Sequence, residues 1–227
     1  MQDRVVLITG AKGGLGNFVS ERFLAAGAQV VGVSRSIKDS DFPNPRFTAT
    51  SADLSDDHAV RSLVAGIVQR FGRLDTVAHI AGGFRGGKSL TETDDDTFEA
   101  MFSLNVKAFF NIARAAVPNM KNGGRIVAVA SRNALEPSPN AAAYAASKAA
   151  LVSLVRSLAG ETKGRGITVN AVLPGTMDTS ANRMAIPNAD TSKWVPPAKV
   201  AEVVYWLASD AAEHVSGAAI PVFGRDV

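Results

Sequence analysis

The chain has 227 residues, of which 46% are hydrophobic and 20% charged, and this is the size and balance of one globular domain. The 24 basic and 21 acidic residues leave a net charge of only +3, so the composition gives no indication of a nucleic-acid-binding protein. Cysteine is absent and the three histidines show no metal-ligand spacing, so disulfide and thiolate chemistry are excluded and no metal is expected.

The sequence contains no segment typical of a membrane protein. No apolar run approaches the roughly 18 residues of a membrane-spanning helix, and the N-terminus lacks the pattern of a signal peptide. We therefore expect a cytoplasmic protein without a membrane partner. No repeat and no Pro/Ser-rich linker divides the chain, so residues 1–227 are predicted to form a single domain.

The chain opens with an apolar run at residues 4–9 that leads into a glycine cluster. Gly10, Gly14 and Gly16 come next, followed by apolar residues at helical spacing, which predicts a buried strand, a turn and a helix. Glycines let the backbone approach a pyrophosphate, and the helix N-terminus offers it unpaired N–H groups, so the pattern indicates a dinucleotide site. A tight turn without a ligand is the alternative, which a second predicted strand at 29–33 disfavours. The turn residues assigned to cofactor binding are Gly10, Lys12, Gly14, Leu15 and Gly16.

The end of the second predicted strand indicates which nicotinamide cofactor binds. An acidic residue there favours the free 2′-hydroxyl of NAD(H), whereas an arginine accommodates the 2′-phosphate of NADP(H). The chain has Ser34 and Arg35 at this point and no carboxylate, and Lys12 adds positive charge in the glycine turn. We therefore predict that NADP(H) is favoured over NAD(H). The alternative is that Arg35 is a solvated surface residue and that either cofactor is used.

Strands and helices alternate along the rest of the chain. Apolar runs predict strands near residues 4–9, 29–33, 46–50, 74–80, 125–131, 167–173 and 218–223. Because helical segments lie between them, the predicted fold is α/β, a single-domain doubly wound (Rossmann) parallel sheet of about seven strands with helices on both faces. Pro187, Pro196 and Pro197 mark an irregular segment, so we expect a short substrate lid around 176–197.

Tyr144 and Lys148 lie four residues apart in an Ala- and Leu-rich segment that predicts a helix, so they are neighbours on one face. An ammonium group stabilises phenolate, so Lys148 is expected to lower the pKa of Tyr144 and let it exchange a proton with a substrate oxygen. Ser131 ends the strand predicted at 125–131, at the edge where doubly wound sheets bind ligands, and its hydroxyl can orient a carbonyl. A chance Tyr–Lys pair on a helix surface is the alternative, which Ser131 disfavours.

The order of these motifs resembles the short-chain dehydrogenase/reductase family, of the classical type, over essentially the whole chain. The resemblance implies that Asn105 anchors a water molecule in a proton relay to Lys148. It implies that Asp53 contacts the adenine and that Thr179 contacts the nicotinamide amide. The other cofactor contacts that it implies are Leu54, Ala81, Gly82, Tyr144, Lys148, Pro174, Gly175 and Thr176. Ile80 departs from the family pattern, because it replaces an asparagine whose side chain braces the central strand.

Residues 80–87 and 173–194 are more similar to dihydropteridine reductase and its bacterial relatives, a branch of the family with a short lid. That resemblance makes quinonoid dihydropteridine an alternative to a small carbonyl or alcohol substrate. Ser131 fits the branch poorly, so we predict a relative that keeps carbonyl-reductase machinery. The candidate substrate contacts are Phe84, Arg132 and Trp194. Phe84 and Trp194 are interpreted either as a stacking pair for a planar ring or as packing anchors.

Two classes of function follow: an NADPH-dependent short-chain reductase of a small molecule, or a catalytically silent NADP(H)-binding sensor that binds partners through its helices. The complete set of Asn105, Ser131, Tyr144 and Lys148 favours the enzyme. The helix predicted at 94–118 has more apolar residues than one buried face requires, and the helix that carries Tyr144 is rich in small residues. These two helices resemble the pair that forms a four-helix bundle across a twofold axis in this family, so we expect a homodimer or homotetramer.

Overall fold

Seven parallel strands form one sheet in the computed structural model, which describes residues 1–225. The strands are β1 Val5–Thr9, β2 Gln29–Val33, β3 Phe47–Thr50, β4 Thr76–His79, β5 Arg125–Val129, β6 Thr168–Pro174 and β7 Ala219–Val222. Neighbouring strands pair in parallel, in the spatial order β3-β2-β1-β4-β5-β6-β7. The predicted doubly wound sheet is therefore confirmed.

The α-helices of the described residues lie between the strands and cover both faces of the sheet. They are α1 Gly16–Ala25, α2 Asp57–Phe71, α3 Asp95–Phe102, α4 Ala108–Ala116, α5 Ala142–Thr162, α6 Ser180–Ala185 and α7 Pro197–Ala208. Short 3₁₀ turns lie at Asp39–Asp41, Leu90–Glu92, Val117–Asn119, Arg132–Ala134, Lys163–Arg165, Thr191–Lys193 and Asp210–Ala212. Within residues 1–225, none of the helices combines the length and the apolar character that crossing a membrane requires.

Each face of the sheet carries its own apolar core, because successive residues of a strand point to opposite faces. Leu7 packs on the face covered by α2, α4 and α5, where Leu151 of α5 is also fully buried. Ile8, the next residue of β1, packs on the face covered by α1 and α7, together with Phe23 and Val204. Burial on both sides explains why the central strands read as continuous apolar runs in the sequence.

The helix predicted over 94–118 is not regular. A π-helical turn at Ser103–Lys107 separates α3 from α4. The side-chain amide of Asn105, which is fully buried, accepts a hydrogen bond from the Gly83 amide (3.0 Å) and donates one to the Gly83 carbonyl (3.1 Å). These contacts stabilise the wider turn, and such turns often occur at functional sites. Hydrophobic periodicity does not predict this π-helical turn, because the turn depends on hydrogen bonds to a segment more than 20 residues earlier in the chain.

The site predicted from the sequence lies where the strand order reverses. The chain runs outward from β1 through β2 to β3 and then returns to β4, which pairs with the other side of β1. In doubly wound sheets, the carboxyl ends of the strands on either side of this reversal form the ligand crevice. The glycine turn leaves β1 at this edge, Ala81 follows β4 and Ser131 follows β5. The fold thus brings together three segments that are far apart in sequence.

Candidate active site

The glycine turn between β1 and α1 leaves no room for a side chain at two positions. Gly10 has a φ of +70°, and a Cβ atom on it would lie 2.8 Å from the amide nitrogen of Ala81. A Cβ atom on Gly16 would lie 2.0 Å from the carbonyl oxygen of Gly10. The turn therefore packs backbone against backbone, which is the arrangement that lets main-chain amides approach a phosphate group.

No side chain caps the amide groups at the start of α1. Its N-cap residue is Leu15, whose side chain has no atom that can accept a hydrogen bond from the first turn. These amides lie at the positive end of the helix dipole and are suited to an anion. Thr179 lies over the turn, since a Cβ atom on Gly14 would be 3.0 Å from the Thr179 Cγ2 atom. The glycine turn and the N-terminus of α1 together fit the diphosphate of a nicotinamide cofactor, and Thr179, which is assigned to the nicotinamide amide, lies beside them.

The sequence assigns the residues that follow β2 to the ribose end of the cofactor. Ser34 and Arg35 come directly after the strand, and the Arg35 side chain is exposed. Lys12 reaches the same segment from the glycine turn, where its ammonium donates to the Ser36 carbonyl (3.2 Å) and lies 2.9 Å from a carboxylate oxygen of Asp41. Sequence reasoning placed Lys12 here but did not identify Asp41 as its partner.

Two residues assigned to cofactor binding follow β3, and the first of them, Asp53, is assigned to the adenine. The carboxylate of Asp53 accepts hydrogen bonds from the amide (2.8 Å) and the hydroxyl (2.7 Å) of Ser55, which hold the Asp53 pKa below its usual range. Leu54 packs against the apolar core, and its carbonyl accepts a hydrogen bond from Asn111 of α4 (3.0 Å). Both residues are thus held in fixed positions beside the segment that follows β2.

Three of the four predicted catalytic side chains meet at the carboxyl edge of the sheet. Tyr144 and Lys148 occupy the first two turns of α5, and Ser131 follows β5. The Lys148 side chain is buried; its ammonium donates to the Val129 carbonyl (2.9 Å) and lies 5.9 Å from the centroid of the Tyr144 ring. The Ser131 hydroxyl donates a hydrogen bond to the Asn133 Oδ1 atom (2.9 Å) and lies close enough to Tyr144 to influence its phenol.

Burial controls the protonation of this group more strongly than charge does. Burial raises the pKa of the Tyr144 phenol, and the nearby Ser131 hydroxyl only partly opposes the rise. Burial also lowers the pKa of the Lys148 ammonium to about 8. Burial therefore outweighs the expected lowering of the Tyr144 pKa by Lys148, whose ammonium donates to the Val129 carbonyl. A phenol that stays protonated at neutral pH is suited to donate a proton.

Asn105 lies against the catalytic group but does not bond to Lys148 directly. A Cβ atom on Gly82 would lie 2.7 Å from the Asn105 Oδ1 atom and 3.1 Å from the Lys148 Nζ atom, so both polar groups border this glycine. The Asn105 amide donates to the Ser147 hydroxyl (3.0 Å), which donates to the Tyr144 carbonyl (2.7 Å). Sequence reasoning missed Ser147, although its position three residues after Tyr144 places it on the same side of α5.

His79 is a second residue that sequence reasoning missed, and its ring links the ends of β4 and β1. Its ring is fully buried at the end of β4, and its Nδ1 atom lies 3.0 Å from the Thr9 hydroxyl oxygen at the end of β1. The same Thr9 oxygen accepts a hydrogen bond from the Ala81 amide (3.2 Å). Burial lowers the pKa of His79 to about 3, so the imidazole is neutral at physiological pH.

The buried neutral imidazole predicts a specific sensitivity to acid. The unfolded chain binds a proton on His79 below about pH 6.5, whereas the folded protein does so only near pH 3. Stability is therefore lost as the pH falls through this window, by about 2 kcal/mol between about pH 7 and about pH 5. We expect His79→Asn, which keeps a polar atom near the Nδ1 position, to remove this share of the pH dependence of the free energy of unfolding. Urea unfolding of the variant at both pH values measures this pH dependence.

The control is His214→Asn, at a side chain that is 95% exposed, which should leave the pH dependence of the free energy of unfolding unchanged. An equal pH dependence for the native protein and His79→Asn would contradict the assignment.

The predicted lid is tied to the sheet at its base. After Pro174, the Gly175 amide donates to the Val222 carbonyl (3.0 Å), and the Thr176 carbonyl accepts from the Val195 amide (2.8 Å). Thr179 caps α6, because its hydroxyl accepts a hydrogen bond from the Asn182 amide (3.2 Å). The cofactor residues predicted after β6 thus lie in one fixed segment opposite the glycine turn.

The candidate substrate contacts occupy different positions around the mouth of the crevice. Phe84, 63% exposed, packs its ring edge-to-face on the Tyr144 ring, with centroids 4.9 Å apart. Arg132 forms an ion pair with Glu136 and lies over the Phe223 ring. Half-buried Trp194 ends a 3₁₀ turn of the lid, and residues 1–225 contain no ring contact between it and Phe84. The aromatic ring nearest the catalytic group is therefore that of Phe84.

Comparison with known proteins agrees with this geometry. Residues 4–190 match the short chain dehydrogenase family. A 3-oxoacyl-[acyl-carrier-protein] reductase FabG of Thermotoga maritima is 30% identical, with 99% of this chain and 98% of the relative covered. A cyclic-di-GMP-binding biofilm dispersal mediator protein of Escherichia coli K12 is 35% identical, with 95% of this chain and 93% of the relative covered.

Solved structures share the whole architecture. The structure described as ElxO with NADP bound superposes with a TM-score of 0.92 at 26% identity, covering 98% of each chain. Another structure of ElxO has NADPH bound. The match extends over the sheet, the glycine turn and the lid, so the crevice described above lies in a fold that holds NADP in a known protein.

Proposed function

Because the chain belongs to the short chain dehydrogenase family, we propose that it transfers hydride between NADP(H) and a small carbonyl or alcohol substrate, with Tyr144 as general acid and base. The observation that carries the proposal is the buried Lys148 ammonium beside the Tyr144 phenol, at the edge where the glycine turn would hold a cofactor. A buried ammonium without a carboxylate partner is costly, and such groups are frequent in catalytic sites.

The side chains divide the work of carbonyl reduction. The bound cofactor supplies the hydride. The Ser131 hydroxyl leaves Asn133 to donate a hydrogen bond to the carbonyl oxygen, which orients the substrate. The Tyr144 phenol donates its proton to that oxygen as negative charge develops on it. Lys148 then stabilises the phenolate, and Asn105 holds the water that returns a proton through Lys148. For alcohol oxidation, each proton moves the opposite way.

Two basic residues support a preference for NADP(H). Arg35 is exposed after β2, and it has no ion-pair partner among residues 1–225. Lys12 reaches the same segment. Both can bind a 2′-phosphate, and NADP is the cofactor of the ElxO structure. A cytoplasmic location stays a prediction of the sequence.

Removing the Arg35 guanidinium should weaken NADPH binding selectively. Hydrogen bonds to a charged group contribute about 1.5–3 kcal/mol each, so we expect Arg35→Ala to weaken NADPH about tenfold or more and to leave NADH within about twofold. Isothermal titration with both cofactors measures this. Arg61→Ala, at an exposed arginine of α2, is the control and should change neither affinity. An equal loss for both cofactors would show that Arg35 is structural.

Quinonoid dihydropteridine is the alternative substrate. The resemblance of residues 80–87 and 173–194 to dihydropteridine reductase motivates it, while the relatives reported above are named for other functions. Ser131 distinguishes the two substrates, because a carbonyl needs the hydroxyl and a quinonoid pterin has no carbonyl to orient in that way. Ser131→Ala should depress carbonyl turnover strongly; unaffected turnover together with pterin reduction would favour the alternative.

A nucleotide sensor without catalysis is the second candidate function, and the 35% identical cyclic-di-GMP-binding relative motivates it. The buried Tyr144–Lys148 pair with Ser131 argues against it, because binding alone does not require a proton-transfer group. Titration of the protein with cyclic di-GMP, beside a turnover assay with carbonyls, separates the candidates. Binding without any turnover would favour the sensor.

We also propose that the protein forms a homodimer or homotetramer through α3, α4 and α5. Phe98, Leu104 and Phe110 are each 41–46% exposed on this face, and pairing with a second copy would bury them. We expect light scattering at micromolar concentration to give a multiple of the 23.7 kDa monomer. Phe110→Glu should shift the mass toward the monomer. The matched control is Phe18→Glu, at a residue of α1 that is 40% exposed. A native mass near one monomer would contradict the interface.

A further inference from the structure

The segment after β2 contains an acidic side chain that contacts Lys12, one of the two cations predicted to bind the 2′-phosphate. The Lys12 ammonium lies 2.9 Å and 3.1 Å from the two carboxylate oxygens of Asp41, and its third contact is the Ser36 carbonyl. The Asp41 carboxylate also accepts a hydrogen bond from the Lys38 amide (2.9 Å). The Lys12–Asp41 pair thus joins the glycine turn to the loop that follows β2.

The loop that carries Asp41 is fixed in place. Ile37 and Phe42, on either side of the 3₁₀ turn at Asp39–Asp41, are buried, and the Phe42 ring packs on the Phe47 ring at 4.4 Å. The carboxylate of Asp39 accepts a hydrogen bond from the Ala49 amide of β3 (2.7 Å). These contacts hold the backbone around Asp41 beside the glycine turn, within reach of Lys12.

We propose that Asp41 determines how strongly the protein discriminates between NADPH and NADH, by competing with the 2′-phosphate for Lys12. This inference rests on the proposed use of a nicotinamide cofactor. The carboxylate neutralises one of the two cations available to the phosphate and repels a group that carries nearly two negative charges. NADH has only a hydroxyl at the 2′ position, so the competition for Lys12 and the charge repulsion affect it much less. Lys12 and Arg35 favour NADPH over NADH, and Asp41 reduces this preference.

A purely structural role makes the opposite prediction. If Asp41 served only to position Lys12 for the phosphate, its removal would weaken NADPH binding. Asp41→Asn separates the two roles, because an amide oxygen can still accept from Lys12 and from the Lys38 amide while the negative charge is lost.

The test uses fragments that isolate the 2′-phosphate. We expect Asp41→Asn to bind 2′,5′-ADP roughly three- to tenfold more tightly than the native protein and to bind 5′-AMP within about twofold, by isothermal titration. Asp39→Asn is the matched control, since it removes a charge from the same turn without touching Lys12. In a Lys12→Met background the gain from Asp41→Asn should shrink, as a double-mutant cycle would show. Unfolding temperatures verify that each variant is folded.

The outcomes separate this inference from the proposed cofactor preference. Unchanged or weaker 2′,5′-ADP binding by folded Asp41→Asn would overturn the inference. Native protein that binds 2′,5′-ADP no better than 5′-AMP would contradict the NADPH preference, while a preference that then emerges in Asp41→Asn would support the role of Asp41.

Discussion

Tyr144→Phe should lower turnover on the order of 10²–10⁴-fold while cofactor affinity stays the same, because the change removes only the hydroxyl that donates the proton. The Phe ring can keep the edge-to-face contact with Phe84 at 4.9 Å, so the packing of α5 is preserved. Steady-state turnover and cofactor titration of the same preparation measure both quantities. Loss of turnover without loss of binding is the signature of a group that acts only in the reaction.

The chain provides its own control, since it has two tyrosines. Tyr205 of α7 packs on Phe23 and lies under the guanidinium of Arg22, which places it on the face of the sheet covered by α1. Tyr205→Phe should retain native turnover. Equal activity of Tyr144→Phe and the native protein with every accepted substrate would remove Tyr144 from the mechanism.

Lys148→Met should abolish most of the activity and yet stabilise the protein. Turnover is expected to fall on the order of 10²–10⁴-fold, because the phenolate of Tyr144 loses the charge that stabilises it. The buried ammonium has a pKa of about 8 instead of 10.5, so the unfolded chain binds its proton more tightly and stability falls as the pH drops through this window. Removing the charge should raise the free energy of unfolding at neutral pH by about 3 kcal/mol. Loss of the hydrogen bond to Val129 should lower it by about 1 kcal/mol, so a net increase is expected.

Thermal unfolding and turnover of Lys148→Met measure the two effects together. Lys199→Met in α7 makes the same substitution at an exposed position and should change neither. A less stable Lys148→Met would show that the ammonium supports the fold, and retained turnover would show that it does not serve the reaction.

The elements that follow from local pattern could be predicted from the sequence. The seven strands, the glycine turn and the helix that carries Tyr144 depend on periodicity and on residue types that lie close together in the chain. The closeness of Ser131 and Tyr144 follows as well, because Ser131 comes directly after β5 and Tyr144 lies in the first turn of the next α-helix.

The features that depend on distant contacts could not be predicted. The π turn around Asn105 is set by hydrogen bonds to Gly83, and the bond between His79 and Thr9 joins two strands 70 residues apart. The ion pair of Lys12 with Asp41 spans 29 residues. The raised pKa of Tyr144 follows from burial, which the sequence around a residue does not specify.

Transfer of deuterium from labelled NADPH to a carbonyl substrate tests the proposed reaction most directly. The protein would be incubated with aldehydes, diketones, quinones and quinonoid dihydropterin, each with labelled NADPH and labelled NADH, and the products analysed by mass spectrometry. We expect at least one carbonyl to be reduced faster with NADPH, with deuterium on the former carbonyl carbon, and Tyr144→Phe to form this product far more slowly. Reduction of the pterin alone, or no label in any product, would contradict the proposed carbonyl reduction.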